Sequence, residues 1–459
     1  MLGYKLEDTI IAVSTPSGYG GIGIIRLSGK DALNIAKNIF KPKKSGIKYF
    51  PQKAIFGNLI DFETNRPFDE AYLLFFPESH SYTRENIVEI SCHGSPAVIE
   101  EALRLGVRAG ARHAHPGEFT LRAYLGGRID IIQAEAVNDL IRASSAKTAK
   151  IAFDQLDGKL SRKIAGFRAR TIEILSQIEA AIEFPDEKLE LTQQKISSSL
   201  EKAINFLGDL VSSYETGKVL VEGITLAITG KTNVGKSTLF NALLEDERAI
   251  VAPYPGTTRD YLKEKIKIKD TLFNLVDMAG LGKPSSYIEK EGIRKGKKIA
   301  AQADGLLLLL DASRKENSED LALLQEFQKK KAILVFNKID LGHKMNVQMI
   351  KKKFNALAAL EISALKGTNL DRLKQKICEV FAPKLEKREA VIFHLRQKLM
   401  LEEALRCLEK GKRLLEEGNP EEMCAEEIRK IIPVVGQLTG EIRADDVIEN
   451  IFSRFCVGK

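Results

Sequence analysis

The chain has little cysteine. Its five thiols, Cys92, Cys378, Cys407, Cys424 and Cys456, are odd in number, widely spaced and without a C-x-x-C pair. That argues against a disulfide framework and a structural zinc site, and it fits a reducing compartment. Long apolar runs are missing too. Runs such as Leu306–Leu310 fall far short of the ~18 residues of a membrane span. The opening MLGYKLEDTI lacks the basic stretch and apolar core of a signal peptide. No internal repeat or low-complexity tract is found. Together these absences predict a soluble, cytoplasmic protein with no membrane partner.

Charge of one sign is also in short supply. Lys and Arg number 70 against 62 Asp and Glu, a net +8 over 459 residues. With 44% hydrophobic residues, an acidic or disordered solvating chain is excluded. The mild basic excess permits a nucleic-acid partner, but a solvated lysine-rich surface accounts for it equally well. The length implies about two to four domains with ample core.

Four stretches differ in pattern. Residues 1–120 mix short β-branched runs (IIAVST, GIGIIRL, AYLLFF, NIVEIS) with Gly and Pro, as an α+β domain does. Residues 121–216 turn helical. IDIIQAEAVNDLIRASSAKTAKIAF has apolar residues at three- and four-residue spacing, and Pro185 marks a helix end before a second helix near Leu191. Residues 217–382 alternate apolar strands (ITLAITG, FNLVD, GLLLLLD, AILVFN, AALEIS) with amphipathic segments, predicting a mainly parallel sheet covered by helices. Residues 383–459 are helical again. The two helical stretches are expected to pack as one discontinuous domain interrupted by an inserted α/β domain.

Gly230-Lys231-Thr232-Asn233-Val234-Gly235-Lys236-Ser237 fits G-x-x-x-x-G-K-S between a strand and a helix. Backbone N–H groups of such a loop curl around phosphate oxygens, and the helix dipole adds positive potential. Lys236 is placed to reach the β- and γ-phosphates and Ser237 to ligate Mg²⁺, with Thr238 following in the helix. Asp277-Met278-Ala279-Gly280 closes the strand FNLV. There a carboxylate can hold Mg²⁺ through water and the Gly280 N–H can sense the γ-phosphate. Asn337-Lys338-Ile339-Asp340 closes AILVF. Asp340 can accept two hydrogen bonds from guanine N1 and N2, which adenine cannot supply. Ser363-Ala364-Leu365 closes the last strand, where a backbone N–H can meet guanine O6. Four motifs at successive strand ends resemble the GTPase superfamily.

Many small GTPases carry a water-orienting Gln after D-x-x-G, but this chain has Leu281. Two residues are candidates for that task, Arg259 in PGTTRD and Glu289 in SSYIEKEG. By spacing alone Glu289 also reads as a charged residue opening a helix. Thr257 and Thr258 have hydroxyls suited to Mg²⁺, in a nucleotide-contacting segment that runs Ala252-Pro253-Tyr254-Pro255-Gly256-Thr257-Thr258. Asn233 has a side-chain carbonyl that can take a monovalent cation beside the phosphates, supplying charge as an arginine finger does elsewhere.

Other patterns carry less. Gly18-Tyr19-Gly20-Gly21-Ile22-Gly23 matches G-x-G-x-x-G, but the strand-like IIRL follows it and the dinucleotide-binding context fails. Ser28-Gly29-Lys30-Asp31 lacks the glycine and hydroxyl of a second phosphate loop. His113 and His115 read as loop polar residues without a ligand set. Cys456 stands fourth from the end, but Gly458 and Lys459 spoil a prenylation box. It reads equally as an ordinary thiol or a functional one.

Taken in order, DTIIAVSTPSGYGGIGIIRLSG, SYTRENIVEISCHG, HPGEFTLRAYLGGRIDIIQAEAV, GKTNVGKS, PGTTRD, DMAGL, NKID and the terminal FCVGK resemble the MnmE (TrmE) family of tRNA-modifying GTPases along essentially the whole chain. The resemblance implies a tetrahydrofolate-binding, dimerising N-terminal domain, a two-segment helical domain and an inserted G domain of Ras-like fold. It implies a homodimer working with an FAD-containing MnmG partner, in a heterotetramer or larger complex. Together they would place an aminomethyl or carboxymethylaminomethyl group at C5 of the wobble uridine of tRNA, drawing on a folate one-carbon unit. By position, Arg26, Glu89, Arg128 and Lys459 match folate contacts. Asn233, Ala252, Tyr254 and Thr257 match a K⁺ site, and Ser237 and Thr258 match Mg²⁺ ligands. Glu289 matches the acid that orients water, and Cys456 matches the terminal cysteine. Tyr19, Arg84 and Met278 depart from the family's Arg, Gly and Thr. A non-enzymatic alternative is a GTP-switched binding module such as a ribosome-assembly factor.

Overall fold

The computed structural model describes residues 7–44, 46–183, 189–246, 263–277, 300–382, 390–442 and 445–458. The chain divides into two compact units. One comprises residues 1–139, 153–207 and 400–459, the other residues 140–152 and 208–399.

The first unit begins with a sheet of seven strands: β1 (Ile10–Val13), β2 (Gly20–Ser28), β3 (Phe40–Pro42), β4 (Ile55–Asp61), β5 (Arg66–Phe76), β6 (Ile87–Gly94) and β7 (Arg112–His113). Their spatial order is β3-β4-β5-β6-β2-β1-β7, antiparallel except for the β1/β7 pair. Side chains alternate across it. Ile25, Leu27, Val88 and Ile90 are buried with residues of the helices Ala32–Ile39 and Pro96–Arg108. Arg26 and Glu89, between those apolar positions, therefore project from the opposite face. The glycine-rich segment that imitates a dinucleotide motif enters β2, with a register shift between Gly20 and Gly23. Its failure as a Rossmann turn is thus visible in the backbone.

Helices complete this unit. Helices Glu421–Arg429 and Ile431–Thr439 pack on Lys159–Glu183, so segments from both sides of the α/β insertion share one bundle, as the fold class required. A separate apolar cluster joins Leu121, Tyr124 and Ile131 to Ile448, Phe452 and Phe455. Along residues 131–156, which run through a segment of the second unit (140–152), the stretch read as continuously helical is broken: Ile131–Arg142 and Ala146–Leu156 are separate. Ser145 explains the break. Its hydroxyl accepts the Thr148 N–H at 3.1 Å, the N-cap arrangement that starts a new helix.

The second unit holds a six-stranded sheet: β8 (Ile224–Gly230), β9 (Lys263–Ile268), β10 (Thr271–Asp277), β11 (Gly305–Asp311), β12 (Ala332–Asn337) and β13 (Ala358–Glu361). The order is β13-β12-β11-β8-β10-β9, parallel except for β9. Both faces are covered. Leu307 and Leu309 enter one core with Ile228, Val335 and Leu373, while Leu306, Leu308 and Leu310 enter the other with Leu323 and Phe336. Burial on two faces is why the central strands read as unbroken apolar runs. Strand β9 was not among the strands expected, although Ile266 and Ile268 are buried between exposed or half-exposed lysines. The sheet order reverses at β8, with β11 on one side and β10 on the other, the switch point where α/β sheets bind ligands.

The C-terminal tail returns to the N-terminal sheet. Gly458 has φ +92°, and a Cβ there would collide with the Val13 carbonyl oxygen. The Gly458 carbonyl accepts from Ser14 Oγ and Arg26 Nη1, both at 3.3 Å, and the Cys456 carbonyl accepts the Gly117 N–H at 3.3 Å. Gly458→Ala, strained by about 1–2 kcal/mol in backbone alone, is expected to lift the tail from this seat. Hydrogen exchange at the Gly117 amide reads the effect directly. Unchanged protection in the variant would show that the tail does not depend on glycine.

Candidate functional site

The phosphate loop leaves β8 at its C-terminal end and enters the helix Lys236–Asp246. Two left-handed residues shape it, Asn233 at φ +62° and Gly235 at φ +96°. Asn tolerates that region better than most side chains, whereas Gly235 has a second reason to be glycine. A Cβ at Gly235 would strike the Asn337 side-chain amide. Lys236 is buried, and its ammonium donates to the carbonyls of Gly230 (3.2 Å) and Lys231 (2.7 Å). Burial pushes its pKa down, partly opposed by the nearby Asp277 carboxylate. It is thus held under the loop, aimed where phosphate oxygens would lie.

Ser237 Oγ donates to Asp277 Oδ2 at 2.8 Å, across from the end of β10. The other carboxylate oxygen, Asp277 Oδ1, is buried and has no partner among the described residues. An all-oxygen pair with one orphaned anionic atom suits a hard divalent cation such as Mg²⁺.

The base-recognition elements are braced against this loop. Asn337 Nδ2 donates to the Val234 carbonyl at 2.9 Å, and its Oδ1 accepts the Ala364 N–H at 2.9 Å. Lys338, itself left-handed at φ +67°, reaches the Asn233 carbonyl at 2.5 Å and Asp311 Oδ2 at 2.8 Å. Burial pushes the Asp311 pKa up, but the hydrogen bonds from Lys338 and Ser313 outweigh it and hold the carboxyl below its ordinary value. Asp340 sits on the short turn Ile339–Leu341 and is exposed, as is Leu365, whereas Ser363 and Ala364 are buried. So Asn337 and Lys338 brace the loop, while Asp340 stays exposed on its turn.

In the first unit, Arg26 and Glu89 face each other across β2 and β6. Arg26 Nε and Nη2 lie 2.8 and 2.7 Å from Glu89 Oε1. Arg26 also stands over the Phe119 ring, 5.7 Å from its centroid. Arg128 donates to the Ser81 carbonyl at 3.0 Å and lies 4.9 Å from the Tyr82 ring centroid. Burial pushes the Tyr82 phenol up, and the hydrogen bond with Thr120 and the charges of Arg128 and Arg26 pull it back. Two cations, one carboxylate and aromatic faces suit a flat heteroaromatic acid such as a folate. Cys456 is exposed beside the seated tail.

Several expected site residues lie outside the described residues. They are Ala252, Pro253, Tyr254, Pro255, Gly256, Thr257, Thr258, Arg259, Met278, Ala279, Gly280, Leu281, Glu289 and Lys459. No group of three or more His, Cys, Asp or Glu side chains able to hold a metal occurs among the described residues. His113 forms part of β7. Three contributors went unnoticed in sequence: Asp311, Tyr82, and the Asp320 that pairs with Lys231 at 2.8 Å. Asp311 did carry a signal, an acid closing the apolar strand GLLLLLD at the edge where α/β sites form.

The family model for the MnmE helical domain matches residues 131–456, and that for the GTP-binding protein TrmE N-terminus matches residues 9–128. The chain is similar to the tRNA modification GTPase MnmE of Aquifex aeolicus, 40% identical over 456 residues, covering 99% of this chain and 100% of that one. It is likewise similar to that of Lactococcus lactis, 41% identical over 459 residues and covering 98% of each. Among solved structures, the G domain of the T. maritima FeoB iron transporter is 29% identical with a TM-score of 0.27, covering 34% of this chain and 98% of that one. A match over both ends and the interior of the chain leaves one assignment: it belongs to the MnmE (TrmE) family of GTPases.

Proposed function

We propose that this chain hydrolyses GTP to drive modification at C5 of the wobble uridine of tRNA, as a homodimer working with an FAD-bearing MnmG-type protein. The observation that supports it most is the pairing within one chain of a braced nucleotide loop with an Arg26–Glu89 ion pair and an Arg128 set over the Tyr82 ring. A simple GTP switch needs only the first. The second is what argues against a ribosome-assembly factor, because such a group of side chains would suit a one-carbon donor.

The chemistry follows from positions. Loop N–H groups and Lys236 bind the β- and γ-phosphates, so charge developing on the transferred phosphoryl meets fixed donors. Ser237, Asp277 and Thr258 would hold Mg²⁺, which supplies charge neutralisation between the phosphates. Asn233, with Ala252, Tyr254 and Thr257, would hold K⁺, whose positive charge serves as an arginine finger does elsewhere. Asn233 is exposed, with its backbone carbonyl tied to Lys338. Leu281 cannot orient water, so that task falls to Glu289, with Arg259 as the other candidate. Arg26, Glu89, Arg128 and Lys459 would hold a tetrahydrofolate, which supplies the one-carbon unit. The closing and separation of G domains on hydrolysis would then rearrange the modification site.

Guanine selection is tested at Asp340. An Asn there offers one acceptor and one donor, matching xanthine N1–H and O2 rather than the two donors of guanine. Asp340→Asn is expected to weaken GTP binding on the order of 10³-fold while improving XTP binding. Retained GTP preference would remove Asp340 from base recognition.

Hydrolysis should run at least about tenfold faster in K⁺ than in Na⁺, since only a cation of matched size neutralises the developing charge. Glu289→Ala should lower kcat about 10²-fold with little change in nucleotide affinity. Equal rates in the two salts, or an unaffected Glu289 variant, would overturn this account of catalysis.

The tRNA reading is tested by mass spectrometry of wobble uridines from cells with and without the gene. Loss of the C5 substituent is expected in the deletion. Intact modification would favour the binding-module alternative instead.

A further inference from the structure

Lys231 is an unassigned position of the phosphate-loop motif, yet its side chain is only 9% exposed. Its ammonium lies at the start of the helix Ser318–Glu326. Its ammonium is 2.8 Å from Asp320 Oδ1 and 3.4 Å from Glu319 Oε2, and it donates to Asn317 Oδ1. Asp320 is itself 7% exposed and already committed. Its Oδ2 accepts the Asn317 N–H at 3.0 Å, while Asn317 Oδ1 accepts the Asp320 N–H at 3.1 Å, closing a capping box. Lys231 thus adds a buried cation to a cap that is complete without it.

Burying an ion pair gains little stability over apolar packing, because desolvation offsets the attraction. What such a pair does provide is a fixed geometry. The Lys231 carbonyl is one of the two that hold the Lys236 ammonium, at 2.7 Å. One residue therefore grips the helix through its side chain and Lys236 through its backbone.

We propose that Lys231 is a positioning residue for nucleotide binding: its buried contact with Asp320 and Asn317 sets the loop carbonyl that aims Lys236 at the phosphates. This rests on the reading of the loop as a GTP site. The loop is then ordered before nucleotide arrives, and the effect belongs to binding in ground and transition states alike.

The test uses the full chain and four variants: Lys231→Met, Asp320→Asn, both together, and Lys231→Arg. Fluorescent GDP and GTP titrations are run beside steady-state hydrolysis. Each neutral single variant is expected to raise Kd and KM about tenfold, with kcat at saturation within about threefold of the parent. The double variant should be no weaker than either single one, since both remove the same contact. It also leaves no unpaired buried charge, so it is informative even where Lys231→Met folds poorly. Lys231→Arg should recover most of the affinity. A lower melting temperature with unchanged Kd in the folded double variant would make the contact merely structural and overturn the proposal. So would additive effects of the two single changes. Failure of the parent chain to bind GTP at all would instead overturn the GTPase reading.

Discussion

One amide holds the nucleotide site together. Asn337 is 2% exposed, and its side chain spends its donor on Val234 and its acceptor on Ala364. The phosphate loop after β8 and the base loop after β13 are thereby tied to the end of β12. A buried amide with both ends satisfied is stabilising, and losing either partner leaves the other group desolvated and unpaired. That single bridge also dictates a distant residue. Gly235 must lack a Cβ because Asn337 occupies the space.

The bridge works because the sheet beneath it is rigid. Strands β11 and β12 are buried along their whole length, with alternate residues filling two cores. Close packing lets their C-terminal ends act as fixed mounts for polar groups. Lys338 follows the same logic, spanning Asn233 and Asp311 with charge-assisted hydrogen bonds. Binding groups are set by strand ends, while bracing groups run sideways between them.

How much of this was legible follows from where the chemistry is written. The phosphate loop, the NKID segment and the parallel sheet were readable because each lies in one contiguous run with its own local geometry. Asn337 and Lys338 were found, but their bracing role was not, since it depends on Asn233 and Val234 about a hundred positions earlier. Asp311 and Lys338 stand 27 positions apart, and Lys231 and Asn317 stand 86 apart. No spacing rule joins such pairs; strand order does. Arg26 and Glu89 came from resemblance alone, because only the β2/β6 register sets them opposite one another. Strand β9 was missed because KEKIKI reads as a charged surface, though its isoleucines alternate toward the core.

Arg84 shows how a departure from the family pattern is accommodated. It stands where the resemblance expects Gly, and its φ is +62°, a region that disfavours any Cβ by about 1–2 kcal/mol. Its neighbours hold it there. Ser28 Oγ lies 2.7 Å from both Thr83 Oγ1 and Glu85 Oε2, and the buried Arg122 pairs with Glu85 at 3.0 Å. With Thr83 and Glu85 both committed, relaxing Arg84 would break charge-assisted contacts in a buried network, a larger loss than the strain itself. The turn therefore keeps a glycine-like backbone without glycine. The same turn leads into β6, which carries Glu89, so the anchored network also places one half of the Arg26–Glu89 pair.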